Sequence, residues 1–185
     1  LVNTECKNIV FGIKTTRSSI LDIMNLNFAS LNPLIFAQMA IKIIHYLSPE
    51  YLLMVDLRRE VLRKPLGLEF SPQDLEKDEK DILIAAFDGE IIIGCCILTK
   101  ESADLCKLRQ MAVHQNHQRK NIGASILRFA ETIAIEHKFS TLCMHARQSA
   151  IGFYEKLGYT ICSETFEEVN IPHVAMEKKL STLAF

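Results

Sequence analysis

Several things are missing from this sequence, and each absence removes a class of function. No apolar run is long enough to cross a bilayer as a helix, so nothing reads as a membrane protein. The first residues do not pair a basic stretch with an apolar one, so no secretory signal is expected. Net charge is almost absent: 21 Lys and Arg against 22 Asp and Glu give −1, which offers no electrostatic basis for binding nucleic acid. The six cysteines contain no C-x-x-C and no metal-ligand spacing. Five of them (Cys95, Cys96, Cys106, Cys143 and Cys162) fall in apolar, strand-like runs, as small core residues do in a reduced, cytoplasmic protein. His114 and His117 are close in sequence but have no carboxylate partner, so no metal is expected. There is no G-x-x-x-x-G-K-[ST] and no G-x-G-x-x-G, which sets aside the P-loop and the dinucleotide fold. No internal repeat or low-complexity segment is present.

What remains suits one domain: 185 residues, 49% of them hydrophobic. Residues 1–38 show only weak helical periodicity, and the regular pattern begins just after Met39. We expect 1–38 to lie outside the fold, with translation able to start at Met39. The rival reading is a short amphipathic helix docked on the domain or on a partner. From 39 to 185 the pattern is orderly. Ile41 to Tyr46 alternates as a strand. Ser48-Pro49-Glu50 then opens a helix to about Arg63, with a capping serine, a proline at the first position and an acid in the first turn. Met54, Leu57 and Val61 face inward. Arg58-Arg59-Arg63-Lys64 reads as a solvated basic helix end before Pro65. Residues 65–80 read as a loop with one helical turn, and Asp74 to Asp81 as a solvated acidic run. Ile82–Phe87 and Glu90–Thr99 form a hairpin about Asp88-Gly89, followed by a strand over Asp104–His114. A helix starting at Ile122, a strand over Thr141–His145, a helix over Gln148–Leu157 capped by Gly158, and a closing pair at Tyr159–Phe166 and Val174–Lys179 complete the chain. The implied architecture is α/β: a mixed, mostly antiparallel sheet of about seven strands with helices on both faces.

The chemistry concentrates at Gln118-Arg119-Lys120-Asn121-Ile122-Gly123-Ala124. This stretch sits between a strand and an amphipathic helix whose apolar stripe is Ile122, Ile126, Phe129, Ala130 and Ile133. Unpaired N–H groups and the helix dipole make such a turn an anion site. Gly123 removes a Cβ from the ligand's path, and Arg119 and Lys120 add charge. A nucleotide site or a plain structural turn fits the same residues.

Gln118-Arg119-x-x-x-Gly123-Ala124 resembles the acyl-CoA pyrophosphate loop of the GNAT superfamily of N-acyltransferases. Ala150-Ile151-Gly152-Phe153-Tyr154-Glu155-Lys156-Leu157-Gly158-Tyr159 resembles its second signature, A-x-x-F-Y-E-K-x-G-F/Y. The likeness spans roughly residues 40–180 with both motifs in order. Phe166 to Met176, with Ile171-Pro172-His173, resembles the I-P-H-x-x-M tail of one subgroup. Asn121 stands where the family usually has glycine, but asparagine tolerates positive φ. Arg147 stands where the family often has asparagine.

The resemblance implies a GNAT-like fold, with a splay between the strand at 104–113 and that at 141–145. It implies an acetyl-CoA-dependent N-acetyltransferase in which a primary amine attacks directly in a ternary complex. Gln118 to Ala124 would hold the pyrophosphate, and the backbone of Met111, Ala112 and Val113 would pair with pantetheine and polarise the thioester. Tyr154 would protonate the thiolate. His173 is a candidate base or a structural hydrogen-bonder. The basic cluster at 58–64 has a second reading as a lip for the CoA ribose phosphate, and Asp78, Glu79 or Asp81 as contacts to the amine. An alternative is a catalytically degenerate acyl-CoA-binding regulatory module. The expected partners are acetyl-CoA and an amine acceptor, in a monomer or homodimer.

Overall fold

A computed structural model describes residues 39–181; the expectations for 1–38 lie outside the described residues. Strand β1 is Met39–Ile44, two residues earlier than its alternation predicts, because Leu47 turns the chain at φ 60°. Ser48 caps helix α1, Pro49–Arg58, by accepting the Tyr51 N–H at 3.2 Å. The helix then widens into a π-turn at Arg59–Arg63 and tightens into a 3₁₀ turn at Lys64–Leu66, closed by Gly67 at φ 68°. A short helix α2, Pro72–Glu76, starts with a capping box between Ser71 and Asp74.

Strands β2 (Ile82–Asp88), β3 (Ile91–Lys100) and β4 (Leu105–Val113) follow as an antiparallel meander. Helix α3 is Ile122–Glu136, β5 is Thr141–Arg147 and helix α4 is Ile151–Glu155. The predicted closing pair is subdivided. β6 (Thr160–Ile161) and β7 (Phe166–Glu168) are separate pieces, and both pair with the long β8 (Ile171–Lys179). Val169 and Asn170, both at positive φ, make the β7–β8 turn. The sheet runs β1-β2-β3-β4-β5-β8-β6 and is antiparallel except where β4 meets β5. It is the mixed, mostly antiparallel sheet that the sequence implies.

Strand alternation sends side chains into two cores. Ile84, Cys96, Leu98, Leu108, Leu142, Met144 and Met176 meet Ile126, Leu127 and Ala130 of α3. Gly94 lets α3 approach, since a Cβ there would lie 2.6 Å from the Ile126 side chain. On the other face, Leu83, Ala85, Phe87, Cys95 and Ile97 meet Tyr51, Met54, Val55 and Leu57 of α1. This second core reaches only as far as Ala112 of β4. The matching face of β5 and β8 carries His145, Arg147 and His173 instead, and that change of cover positions the site.

The helix end predicted as solvated is partly internal. Arg58 is fully buried and donates to Asp78 at 2.7 Å, while Asp78 also accepts from the Tyr51 hydroxyl at 2.9 Å and from Arg109 at 2.7 Å. Arg109 continues to Asp81 and, through Nε, to the Thr99 hydroxyl at 2.8 Å. Two cations and two anions thus close a neutral group, which is how charge survives inside a protein. Burial alone would lower the Arg109 pKa, but its two carboxylates outweigh that and raise it. Asp78 and Asp81 are therefore neither a solvated run nor free to meet an amine. Arg59 keeps the predicted exposure and pairs with Glu69 at 3.1 Å.

Candidate active site

β4 and β5 pair in parallel only from Leu105↔Thr141 to Leu108↔Met144, although both strands run on. Beyond that point they no longer pair, in keeping with the splay that the family resemblance implies. The divergence coincides with a bulge. Arg109 and Ala112 of β4, three residues apart, face Ile97 and Cys95 of β3, two apart, and Gln110 takes φ 54°. The extra residue resets the alternation. Before it, Cys106 and Leu108 belong to the α3 core; after it, Met111 and Val113 pack against that core while Ala112 turns to the other. The end of β4 therefore offers one backbone edge unclaimed by β5.

A cleft of about 440 Å³ opens there, within the usual size range of ligand sites. Met111, Ala112, Val113, Gln118, Tyr154 and His173 all line it. Six of the residues singled out from the sequence therefore meet in one concavity. Arg119, Lys120, Asn121, Ile122, Gly123 and Ala124 continue from Gln118 without lining it. The Gln118 side chain donates to the Val113 carbonyl at 3.1 Å and ties the loop back to β4. Arg119 and Asn121 both take left-handed φ, 60° and 62°. Asn121 thus adopts the conformation for which the family pattern uses glycine. It stands at the helix N-cap with no side-chain capping bond, so the first-turn N–H groups of α3 receive no acceptor from it.

Gly123 has a different reason from the one its position suggests. A Cβ there would point at the Phe153 ring, 3.3 Å away, and at Met111, 3.5 Å away. Its smallness lets the helix start sit against the second motif.

Tyr154 is buried, with Phe153 and Tyr159 edge-on at 4.9 and 6.0 Å between ring centres. Burial, with the neighbouring Cys96 thiol, raises its pKa above the phenol's usual value, and the Arg147 guanidinium opposes the rise. Burial keeps the phenol protonated, so the cleft is offered an O–H rather than a phenolate. His173 is also buried. Its Nδ1–H donates to the Ile171 carbonyl at 2.8 Å and its ring stacks on Phe166.

The cleft also takes in Arg63, from the basic cluster with a second reading as a ribose-phosphate lip, and residues to which the sequence assigned no part in a site. Val61, Leu62 and Arg63 reach it from the π-turn, and Lys107, His145 and Glu168 reach it from β4, β5 and β7. His145 contacts the Glu168 carboxylate at 2.5 Å through Nδ1 and Lys107 Nζ at 3.1 Å through Nε2. No local signal marks this group, because its members come from three strands. Cys162, read as a core residue, is exposed just after β6.

The family profile described as "Acetyltransferase (GNAT) domain" matches residues 63–180. Among curated proteins, YyaT of Bacillus subtilis is 36% identical over 75 residues, 40% of this chain and 51% of that protein. The N-acetyltransferase YjcF of the same organism, itself uncharacterized, is 28% identical over 123 residues, 66% of this chain and 87% of that protein. The chain spans about half the length of YyaT and of a second B. subtilis relative. Among solved structures, an aminoglycoside 6′-N-acetyltransferase complexed with coenzyme A superposes with a TM-score of 0.67 at 18% identity. That match covers 77% of this chain and 98% of the other, a likeness of fold.

Proposed function

Since this chain belongs to the GNAT acetyltransferase family, we propose that it transfers an acetyl group from acetyl-CoA to a primary amine by direct attack within a ternary complex. The observation that carries this reading is the cleft at the β4–β5 divergence, with the left-handed Asn121 loop leading from it into α3. A pyrophosphate is expected at the N–H groups from Gln118 to Ala124, with Arg119 and Lys120 supplying charge. The pantetheine arm extends along Met111, Ala112 and Val113 as an added strand, and a backbone N–H beside the Gln110 bulge polarises the thioester oxygen. Tyr154 protonates the departing thiolate. His173, pinned to a carbonyl, is a positioning residue that holds Phe166 rather than a proton acceptor. The binding-only alternative draws on Asn121 and on the unassigned base; the φ of 62° at Asn121 supports a loop that forms without glycine there. The proposed domain remains 39–185.

Calorimetry with acetyl-CoA, followed by release of free CoA in the presence of primary amines, tests the reading. The wild-type protein binds acetyl-CoA, and Gly123→Asp loses at least about tenfold in affinity, the scale of a single charge-assisted contact. The added carboxylate repels phosphate and presses on Phe153, so a melting curve is run beside it. Unchanged affinity in a folded Gly123→Asp protein would overturn the loop assignment. Binding with no turnover for any amine would return the regulatory module to first place.

A further inference from the structure

On the face of the sheet that α1 leaves uncovered, His145 stands between a carboxylate and an ammonium. Its side chain is 36% exposed, and the Glu168 carboxylate and Lys107 ammonium approach its two ring nitrogens from β7 and β4. Glu168 as a carboxylate can only accept, so Nδ1 carries the proton. Lys107 as an ammonium can only donate, so Nε2 presents its lone pair. The imidazole is thereby fixed as a neutral base with its free electron pair aimed at a protonated amine nitrogen 3.1 Å away.

We propose that His145, oriented by Glu168, is the general base of this cleft, and that Lys107 Nζ rests where the ammonium of the acceptor stands. The inference deepens the acetyltransferase reading and rests on it. The acceptor arrives as R–NH₃⁺, and Lys107, on a flexible four-carbon stem, gives up its place. One proton passes from the acceptor nitrogen to Nε2, and Glu168 stabilises the imidazolium that forms. The freed lone pair attacks the thioester carbon; the C–N bond forms and the C–S bond breaks. The thiolate takes a proton from Tyr154, which recovers it from the second N–H of the acceptor. His145 finally releases its proton to solvent.

Three features favour His145 over His173. His173 is only 5% exposed, its Nδ1 is committed to a backbone carbonyl, and no carboxylate orients it. Its ring stacks on Phe166, and Phe166 meets His145 edge-on at 4.9 Å. His173 therefore braces the ring that braces the base. The charged and titratable groups that line the cleft with His145 are Arg63 of the π-turn, Glu101 before β4, Lys107 and Arg109 of β4, Arg147 of β5, Tyr154 of α4, Glu168 of β7 and His173 of β8. Arg109 is already neutralised by Asp78 and Asp81. Lys107 and Glu168 are the two charged groups in contact with the imidazole, one at each ring nitrogen.

The experiment measures kcat/KM against pH with acetyl-CoA as donor and with spermidine and triglycine as acceptors, on the full chain. His145→Gln keeps a polar side chain at an exposed position and lowers kcat/KM by about a hundredfold or more. Glu168→Gln moves the acidic limb of the profile to lower pH, and Lys107→Met moves it to higher pH. A purely structural role for the trio would not displace the limb in opposite directions. Acetyl-CoA affinity, measured by calorimetry, stays at the wild-type value in all three. Wild-type kcat/KM in His145→Gln, or limbs that do not move, would overturn the base, whereas acetyl-CoA binding with no CoA release from any amine would favour the binding-only module. Absence of acetyl-CoA binding by the wild-type protein would overturn the acetyltransferase reading instead.

Discussion

Two ionic groups occupy neighbouring parts of the same sheet face, and they differ in cover. Around Asp78, α1 and the segment after α2 close over the charges: Arg58 and Asp78 are both fully buried. Around His145 nothing closes: His145 and Glu168 keep 36% and 49% of their side chains exposed. The two groups are linked through β4, which sends Arg109 into the first and Lys107 into the second. The closed group has no exchangeable partner and serves the fold. The open group can trade an internal ammonium for an external one, which catalysis requires. Burial, rather than residue type, separates structural charge from chemical charge here.

The largest expected effect breaks the closed group. Asp78→Ala leaves Arg58 buried without a counter-charge and should cost about 3–5 kcal/mol, the usual loss when one member of a buried pair is removed. Glu168→Gln, at the open group, should cost no more than about 1 kcal/mol, as exposed pairs do. Urea unfolding of both proteins checks the contrast, and equal losses would end it. Tyr154→Phe tests the boundary between the regions, since Tyr154 is buried yet lines the cleft. Only burial and neighbouring charges act on its hydroxyl, with no hydrogen bond among the causes of its raised pKa. Removing the hydroxyl should therefore leave the melting temperature within a few degrees while turnover falls about a hundredfold. A fall in stability matched by little loss of turnover would return Tyr154 to the core.

The mildest effect concerns alkali. Cys95 lies near Arg58 and Asp78, and burial pushes its thiol up from 9.0 to about 12. In the unfolded chain the thiol ionises near 9.0, whereas in the fold it holds its proton to about 12. The native state then binds more protons across that window, so stability is intact below pH 9 and is lost as pH rises through it. Cys106 adds a loss over the same range. Thermal melts between pH 8 and pH 11 should show the decline, and Cys95→Ala should flatten it. A profile that does not change on this substitution would assign the decline to other groups.

Much of the fold is legible because its signals are short-ranged. Alternation marks β2, β3 and β4, Ser48-Pro49 marks the start of α1, and an asparagine tolerant of positive φ marks the turn into α3. The candidate site is legible where it follows a contiguous motif, from Gln118 to Ala124 and at Tyr154. The Gln110 bulge, the split of the closing strands and the packing reason for Gly123 are not, because each depends on what lies across the sheet. The same applies to the two ionic groups. Arg58 and Asp78 are 20 residues apart, Asp78 and Arg109 31, Lys107 and His145 38, and His145 and Glu168 23. The sequence by itself determined most of the strands, the capped start of α1, the turn into α3 and the family. Only the tertiary structure decided which charges were sealed and which were left open. Burial and pairing arise when distant strands meet, and a charged residue carries no local mark of which fate it will have.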